Sequence, residues 1–238
     1  MAVVVLGICA VIGVRTIHLG TRAAPAPSVI STTPHTASLA ADGRSHATLR
    51  VVTGTPDLTI SMANLGAGGA LVSVTTPAAS SPPVLRTAGA GTADPVISLS
   101  TKRASAFTVT LNSAVSWQLD LASGTTRTTA DLRGGQVTGI TITKGSDILD
   151  LTLPSPHGSV PVKLAAGVSQ LLLSLPSGVP ARVSAGAGAA HVSLDGVTHA
   201  DVRKGTVFTS PAWKAGADGF DVEATAGAAR ITVTAQAG

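Results

Sequence analysis

Hydrophobic residues alternate with polar ones in short runs along most of the chain, and between residues 117 and 196 these runs recur at a nearly fixed interval. The repeated pattern is apolar-x-apolar-x-x-Gly, and successive glycines lie 21 to 22 residues apart. The copies are Leu119/Leu121/Gly124, Ile140/Ile142/Gly145, Val162/Leu164/Gly167 and Val183/Ala185/Gly188. Alternation with a period of two places one set of side chains on one face of a β-strand. Each copy therefore predicts short strands with a narrow apolar face.

A second series lies between these copies, because the residues 151–154 (Leu-Thr-Leu-Pro) return 22 positions later as 173–176 (Leu-Ser-Leu-Pro). One copy cannot bury its apolar face alone, whereas stacked copies align equivalent residues into a continuous core. The pattern predicts an all-β fold, a single-stranded β-solenoid in which Ile142, Leu164 and Ala185 lie one above another. The repeated glycines are expected at corners, and a corner at Gly167 with a positive φ would resist substitution by valine.

The segments that flank the repeat are less regular. Residues 47–114 contain strand-like alternation interrupted by the Pro/Ser tract 76–83, and they predict an irregular β N-terminal part or cap of the solenoid. Residues 115–238 predict the regular solenoid with its C-terminal cap, which we place at 200–216, where the interval breaks. A cap is expected because an exposed terminal strand offers unpaired backbone groups to other chains.

The N-terminus carries an apolar run from Ala2 to Val14, followed by Arg15 and Arg22. Thirteen residues are fewer than the roughly 20 that a spanning helix needs, and they match the hydrophobic region of a signal peptide. We interpret residues 1–20 as an apolar helix that acts as a membrane anchor or signal segment, and we favour a single uncleaved anchor. By the positive-inside rule, arginines after the apolar run favour a cytoplasmic domain. The linker and the repeat that follow favour an extracytoplasmic domain instead. A start codon assigned downstream of the true one would explain this conflict, because it would remove a basic segment from the N-terminus.

Residues 21–46 are rich in Pro, Ala, Ser and Thr and show no apolar periodicity. Such a segment cannot bury enough surface to offset its ordering entropy, and its prolines keep it extended. It predicts a disordered linker that holds the domain away from the membrane.

The composition of the chain limits the classes of partner and of site that we expect. Charged residues make up 12% of the chain and aromatic residues 2%, with a formal net charge of +4 and a pI near 9.8. The basic residues are scattered and no aromatics interleave with them for base stacking, so we expect no nucleic-acid partner. The single cysteine, Cys9, excludes an intrachain disulfide and a cysteine-based metal site.

Two histidines and two aspartates lie close together as His191, Asp195, His199 and Asp201. Imidazole and carboxylate groups are suitable zinc ligands. However, Gly196 starts a turn that separates His199 from the face shared by His191 and Asp195. We therefore predict a polar strand end with an Asp-Gly turn, and no metal site.

Four aspartates, Asp120, Asp131, Asp147 and Asp150, suggest an alternative function. Paired carboxylates about 5 to 9 Å apart perform glycoside hydrolysis, so a carbohydrate-active β-helix enzyme is conceivable. Against it, sugar sites generally present aromatic platforms, and Trp117 is predicted to lie in the core. Asp120 alternates with leucines and is expected to face solvent.

Glycine-rich pieces at 66–69, 89–91 and 186–188 resemble fragments of phosphate-binding loops, but none completes the motif or precedes a helix, so they predict tight corners. Neither a Gly-x-Ser-x-Gly nor a His-Glu-x-x-His motif is present. We therefore assign no catalytic residue and no cofactor.

Several turn motifs resemble the toast-rack repeat family of bacterial envelope proteins. They are Trp117-Gln-Leu-Asp-Leu, Asp131-Leu-Arg-Gly-Gly, Leu151-Thr-Leu-Pro-Ser-Pro-His-Gly, Leu173-Ser-Leu-Pro-Ser-Gly-Val-Pro and Leu194-Asp-Gly. The resemblance covers roughly residues 45–238 and is strongest over 115–196. That family includes adhesin-type domains and the C-terminal domain of LiaF-like accessory proteins in responses to cell-wall antibiotics.

The resemblance implies a non-enzymatic, membrane-tethered protein of the cell envelope, adhesin-like or accessory to envelope-stress sensing. It would act through a β-sheet face. The expected partners are the membrane, through the N-terminal segment, and an envelope protein or polymer. The expected location is the cell membrane, with a single pass and an extracytoplasmic C-terminal domain.

Overall fold

The computed structural model describes residues 33–66, 68–88 and 95–236, and these ranges form β-strands and no helix. The strands are β1 (His35–Ala40), β2 (His46–Val51), β3 (Thr55–Ala63), β4 (Ala70–Thr76), β5 (Val84–Ala88), β6 (Val96–Ser100), β7 (Ala106–Asn112), β8 (Ser116–Leu121), β9 (Thr125–Asp131), β10 (Gln136–Ile142), β11 (Ser146–Thr152), β12 (Ser159–Leu164), β13 (Val168–Leu175), β14 (Ala181–Ala185), β15 (Ala189–Leu194), β16 (Val197–Val202), β17 (Thr206–Thr209), β18 (Gly219–Ala224) and β19 (Ala228–Ala235). The predicted apolar helix at residues 1–20 lies outside the described residues. Within them, no helix offers the length and apolar character that a bilayer crossing requires.

The strands form two mixed sheets. Sheet A has ten strands in the order β1-β4-β7-β3-β9-β11-β13-β19-β15-β16. Sheet B has nine strands in the order β17-β14-β18-β12-β10-β8-β2-β6-β5. Most successive strands alternate between the sheets, so two-strand units with one strand in each sheet are formed by β2/β3, β6/β7, β8/β9, β10/β11, β12/β13, β14/β15 and β18/β19. The exceptions are β3/β4 and β15/β16, which stay in sheet A, and β5/β6 and β17/β18, which stay in sheet B.

Within each sheet the units pair in parallel and in register, apart from a register shift between Val137 and Gly139 of β10. In sheet B, Leu119 pairs with Ile140, and Ile140 pairs with Val162. In sheet A, Leu151 pairs with Leu173. The structure thus confirms that the repeats between residues 117 and 175 place equivalent residues on neighbouring strands.

The last predicted copy is displaced from its expected neighbour. Ile142 pairs with Leu164 as predicted, but Leu164 pairs with Ala224 of β18, and Ala185 pairs with the other side of Ala224. The unit β18/β19 therefore lies between β12/β13 and β14/β15. The prediction of a direct contact between Leu164 and Ala185 is wrong, because β14 and β18 alternate in the same way and the pattern alone does not decide which strand is inserted.

The same exchange of order occurs near the other end of the sheets. The unit β2/β3 is the first in the chain, yet it pairs with β8/β9 on one side and with β6/β7 on the other. Residues 46–63 consequently lie inside the stack.

The prediction of a disordered linker at residues 21–46 is wrong from residue 35 onward. Residues 35–40 form β1, which pairs antiparallel with β4, and His46 begins β2. The alternating sequence His-Thr-Ala-Ser-Leu-Ala has the period of a strand, and Leu39 packs against the core. Because this segment has few hydrophobic residues, the sequence pattern did not predict the strand.

Antiparallel strands cover the outermost units. At one end, β4 and then β1 extend sheet A, and β5 extends sheet B. At the other end, β16 pairs with β15 and β17 pairs with β14.

The core lies between the two sheets and is formed by their inward-facing aliphatic side chains. Trp117 is fully buried, as predicted, and its Nε1–H donates to the backbone oxygen of Asn112 at 3.0 Å. This bond satisfies the indole group, since a buried unpaired donor would cost about 1 to 3 kcal/mol.

Glycines mark the corners between the sheets, and three of the four predicted glycines, Gly124, Gly145 and Gly167, follow one another in the stack. A Cβ added to Gly145 would lie 3.3 Å from the carbonyl oxygen of Gly167, and one added to Gly167 would lie 3.7 Å from that of Gly227. Gly227, in the corner between β18 and β19, therefore takes the next position after Gly167 in this series of corner glycines, where Gly188 was predicted. Gly167 has no positive φ, so the expected strain at this position is wrong, whereas Gly66 and Gly188 have φ values of +80° and +88°.

The two kinds of corner predict different effects of alanine. Gly188→Ala would place a Cβ 2.9 Å from the Val202 oxygen at a positive φ, so we expect it to lower the free energy of unfolding by at least about 1 to 2 kcal/mol. Gly167→Ala is the control, and it should leave that free energy unchanged or raise it by about 0.4 to 1 kcal/mol. Urea denaturation measures both, and equal losses would contradict this assignment.

Candidate interaction surface

The outward side chains of sheet A line up in rows, because neighbouring strands are in register. The first row is Thr36, Thr75, Thr108, Thr59, Thr129, Asp150, Leu172, Thr232, Ser193 and Thr198. The second row is Ser38, Ser73, Thr110, Ser61, Asp131, Thr152, Ser174 and Thr234. We call these the hydroxyl rows, since serine or threonine occupies every position except Asp150, Leu172 and Asp131.

The alternation of the strands produces these rows. Thr59 is exposed, whereas its neighbours Leu58 and Ile60 are buried in the core. Threonine suits such positions because its β-branched side chain favours extended backbone and its hydroxyl group tolerates water. Neighbouring strands lie about 4.8 Å apart, and alternate residues of one strand about 6.6 Å apart, so the hydroxyl groups form a nearly regular grid.

Side chains within the first row contact one another directly. The hydroxyl oxygens of Thr36 and Thr75 are 3.1 Å apart, at one end of sheet A. At the other end, Thr198 donates its hydroxyl hydrogen to Ser193 at 3.1 Å. The hydroxyl groups of adjacent strands are thus within hydrogen-bonding reach of a common ligand atom.

One part of the rows carries no charge. It covers β1, β4, β7, β3 and the centre of β9, and we call it the hydroxyl patch. Its residues are Thr36, Ser38, Ser73, Thr75, Thr108, Thr110, Thr59, Ser61 and Thr129. From the spacing of strands, the patch extends about 20 Å across the sheet.

The outward face of sheet B is chemically different. The corresponding row there is Ser98, Arg50, Asp120, Thr141, Lys163, Glu223 and Ser184. Arg50 Nε lies 3.2 Å from Asp120 Oδ2, and in a neighbouring row Arg182 lies 2.7 Å from Asp221. Charges of both signs therefore lie within the aligned row of sheet B. Sheet A is also charged outside its hydroxyl rows, because a third outward row contains Asp57, Arg127 and Arg230.

The structure does not bring the four predicted aspartates together. Asp120 faces outward from sheet B, as expected, in an ion pair with Arg50. Asp147 is exposed near the start of β11. Only Asp131 and Asp150 share a face, where they lie diagonally on the adjacent strands β9 and β11.

Asp131 is held as a carboxylate. Arg133 donates to it from Nε at 2.9 Å and from Nη2 at 2.7 Å. These side-chain hydrogen bonds are the main cause that lowers the pKa of Asp131 below its ordinary value of 3.8. A general acid needs a raised pKa, so Asp131 is not arranged to donate a proton near neutral pH.

The two histidines of the 191–201 stretch point to opposite sides. His191 pairs with Ala200 and faces outward on sheet A, whereas His199 pairs with Val192. The ring of His199 stacks on Phe208 with centroids 4.5 Å apart. This contact connects β16 to β17.

The aspartates of this stretch, Asp195 and Asp201, both have a positive φ. Asp195 and Gly196 form the turn between β15 and β16, with φ values of +52° and +80°, which confirms the predicted Asp-Gly turn. Asp201 also has a φ of +52°. Across the described ranges, no three His, Cys, Asp or Glu side chains converge in a metal-binding arrangement.

Sequence reasoning missed the hydroxyl rows. Their local signal is visible, since a hydroxyl residue, an apolar residue and another hydroxyl residue follow one another at 36–38, 59–61 and 108–110. The continuity of the rows depends on the strand order, which the sequence did not reveal.

The described fold is all-β, with two mixed sheets of parallel two-strand units. It is similar to a crystal structure titled as a "putative cell adhesion protein" from Clostridium sporogenes, with a TM-score of 0.66 at 16% sequence identity. The match covers 86% of this chain and 99% of that chain. At 16% sequence identity, this similarity applies to the fold alone. No protein-family model and no curated protein matches the chain.

The ion pair of Asp131 predicts a measurable titration. A lowered pKa in the folded state stabilises the fold above the ordinary value of 3.8, and this contribution is lost as the pH falls through the lowered pKa. We expect Arg133→Gln to raise the pKa of Asp131 towards its ordinary value, as measured by carboxyl-carbon NMR. Arg50→Gln is the control on sheet B and should leave that titration unchanged. An unaltered Asp131 pKa in Arg133→Gln would contradict the assignment.

Proposed function

We propose that this chain is a non-enzymatic, membrane-tethered protein of the bacterial cell envelope, whose β-domain binds an envelope component through the outward face of sheet A. The observation that carries the proposal is the pair of hydroxyl rows across that sheet. They form an exposed polar surface on a rigid scaffold, and every strand contributes similar groups to it.

Rigidity makes such a face suitable for recognition. Ordering a flexible surface on binding costs free energy, and a preorganised surface avoids much of that cost. Backbone pairing fixes every strand of sheet A on both sides except the edge strands β1 and β16, and threonine has restricted χ1 freedom. Many weak, identical contacts in fixed geometry also give avidity for a partner that repeats.

We assign the domain to the toast-rack β-solenoid class. The parallel in-register pairing of units such as β8/β9, β10/β11 and β12/β13 supports this assignment. The likeness of fold to a protein titled as involved in cell adhesion is compatible with it. In this proposal residues 1–20 anchor the chain in the cell membrane by a single pass, and the domain is extracytoplasmic.

Adhesion and envelope-stress sensing are two uses of the same face. In the first, binding holds the cell to a surface or polymer, and in the second, it reports on the envelope to a membrane partner. Both uses need an exposed, stable recognition surface, so the proposal is stated at the level of binding.

The enzymatic alternative depends on Asp131 and Asp150. Both lie on an open, flat face, and Arg133 keeps Asp131 ionised, so neither an enclosed cleft nor a protonated carboxyl group favours hydrolysis. We expect Asp131→Asn and Asp150→Asn to leave the release of reducing sugar from cell-wall glycans at the background of a no-protein control. Turnover by the unaltered chain that either variant abolishes would establish the enzyme instead.

Two lysine substitutions in one two-strand unit test the binding face. Thr59→Lys places a charge within the hydroxyl patch, and Thr48→Lys places the same charge on β2, on the outward face of sheet B. We expect Thr59→Lys to weaken binding of the full chain to purified envelope material by roughly tenfold, about 1.4 kcal/mol, because a partner would desolvate an unpaired charge. Co-sedimentation measures the binding.

Thr48→Lys should bind as the unaltered chain does, and both variants should unfold at the same temperature as that chain. Equal binding by the two lysine variants, or no binding by the unaltered chain, would contradict the proposed function.

A further inference from the structure

An open notch lies at one edge of the molecule, among the corners that lead from sheet A to sheet B. It has a volume of about 510 Å³, within the range of about 300 to 1,000 Å³ that is typical of small-ligand sites. The corners that line it follow β7, β9 and β11, and they contribute residues 113–115, 133–136, 154, 155 and 157. We call this site the corner notch.

The lining of the corner notch is rich in hydrogen-bond donors. Its polar side chains are those of Arg133, His157, Gln136, Ser113 and Ser155. Among the described residues that line it there is no aspartate or glutamate. The hydroxyl group of Ser116 donates to Oε1 of Gln136 at 2.7 Å, so the oxygen of this amide is engaged and its two N–H donors face no competing oxygen there. Such a lining suits a ligand that accepts hydrogen bonds.

Arg133 is held in place by Asp131 and keeps donors for a ligand. Its Nε and Nη2 each donate to this carboxylate, at 2.9 Å and 2.7 Å. A guanidinium group has five N–H donors in a planar fork, so the two on Nη1 and the second on Nη2 remain. Arginine can therefore bind a second oxyanion in the bidentate manner. Because Asp131 offsets the charge of Arg133, we expect directed hydrogen bonds to provide the affinity.

The corner after β11 is fixed by two prolines. Pro154 and Pro156 are buried, whereas the side chains of Ser155 and His157 are exposed. Proline restricts φ to about −65°, so this corner presents both exposed side chains with little backbone freedom. The next residue donates its backbone N–H to Asp218 at 2.6 Å, which ties the end of the corner to the loop before β18.

The corner that carries Arg133 is also fixed, because glycines let it pack closely. A Cβ added to Gly135 would clash with Sδ of Met62 and would lie 3.3 Å from Cα of Ser113. The backbone beside Arg133 thus lies directly against the end of β3 and the corner after β7. A site whose backbone is already ordered loses less free energy on binding a ligand.

We propose that the corner notch binds an oxyanion, a carboxylate or phosphate group, with Arg133, His157 and Ser155 as its donors. The free edge of the Arg133 guanidinium group donates to two oxygen atoms of the ligand. His157 and Ser155 donate from the neighbouring corner. This site goes beyond the proposed function, because it lies at the edge between the sheets and not on the outward face of sheet A.

The test titrates the full chain in detergent, at low ionic strength, with galacturonate and with inorganic phosphate. The Cε1–H resonance of His157, identified by its loss in His157→Gln, reports binding by NMR. We expect an oxyanion to move this resonance and to saturate in the millimolar range, and a shift with only one of the two identifies the class bound. Galactose, which lacks the carboxylate of galacturonate, should not move it. No saturable shift with either oxyanion, or an equal shift with galactose, would overturn the inference.

Variants of Arg133 test the guanidinium group itself. We expect Arg133→Gln to lower the affinity roughly tenfold or more, as the loss of charge-assisted hydrogen bonds implies. This variant also frees the carboxylate of Asp131, so Asp131→Asn with Arg133→Gln removes that repulsion and should still bind weakly. Arg127→Gln, at the other end of β9, is the matched control and should bind as the unaltered chain does. Unchanged affinity in the double variant would overturn the inference.

A final comparison separates the corner notch from the binding face of sheet A. Thr59→Lys changes that face, and it should bind galacturonate or phosphate as the unaltered chain does. A loss of oxyanion binding in Thr59→Lys would place the ligand on sheet A and overturn the notch. If no oxyanion binds while Thr59→Lys still weakens binding to envelope material, the inference fails and the proposed function is retained.

Discussion

Parallel, in-register pairing of two-strand units is the constraint on which this structure depends. Each unit is too small to bury its apolar edge, so the backbone ladder must bring an identical alternation directly beside it. Leu119, Ile140 and Val162 are neighbours for this reason. Because a strand has a period of two, the pairing that aligns the core also aligns the outward side chains. The hydroxyl rows are therefore a consequence of the same register that builds the core.

The ends of the stack meet a different requirement. An outermost parallel strand would expose its unpaired backbone groups to other chains. Here the exchange of unit order places β2/β3 and β18/β19 inside the stack, and short antiparallel strands cover the units left outside. The stack of His199 on Phe208 holds β16 and β17 together at one end. Every outermost unit is thus covered in both sheets within the described residues.

The sequence was sufficient to predict the individual strands, but it was not sufficient to predict the order of the two-strand units in the sheets. The alternation around Leu151 and Leu173 predicted both strands and their neighbour, because a shift by one residue would expose an entire core face. Phe220/Val222/Ala224 fits beside Leu164 as well as Val183/Ala185 does, so periodicity could not choose between them. The same ambiguity concealed the site, since an aligned row of hydroxyl groups exists only once the order of strands is known.

Threonine by itself is weak evidence for binding, because exposed strand positions favour it in any β-protein. What distinguishes sheet A is the continuity of its two hydroxyl rows, since the outward row beside them carries Asp57, Arg127 and Arg230. Strand preference applies equally to sheet B, where Arg50, Asp120, Lys163 and Glu223 occupy the aligned outward positions. A structural requirement common to both sheets cannot produce a difference between them. The continuity of the hydroxyl rows is therefore better explained by the binding of a partner to the outward face of sheet A, as in the proposed function.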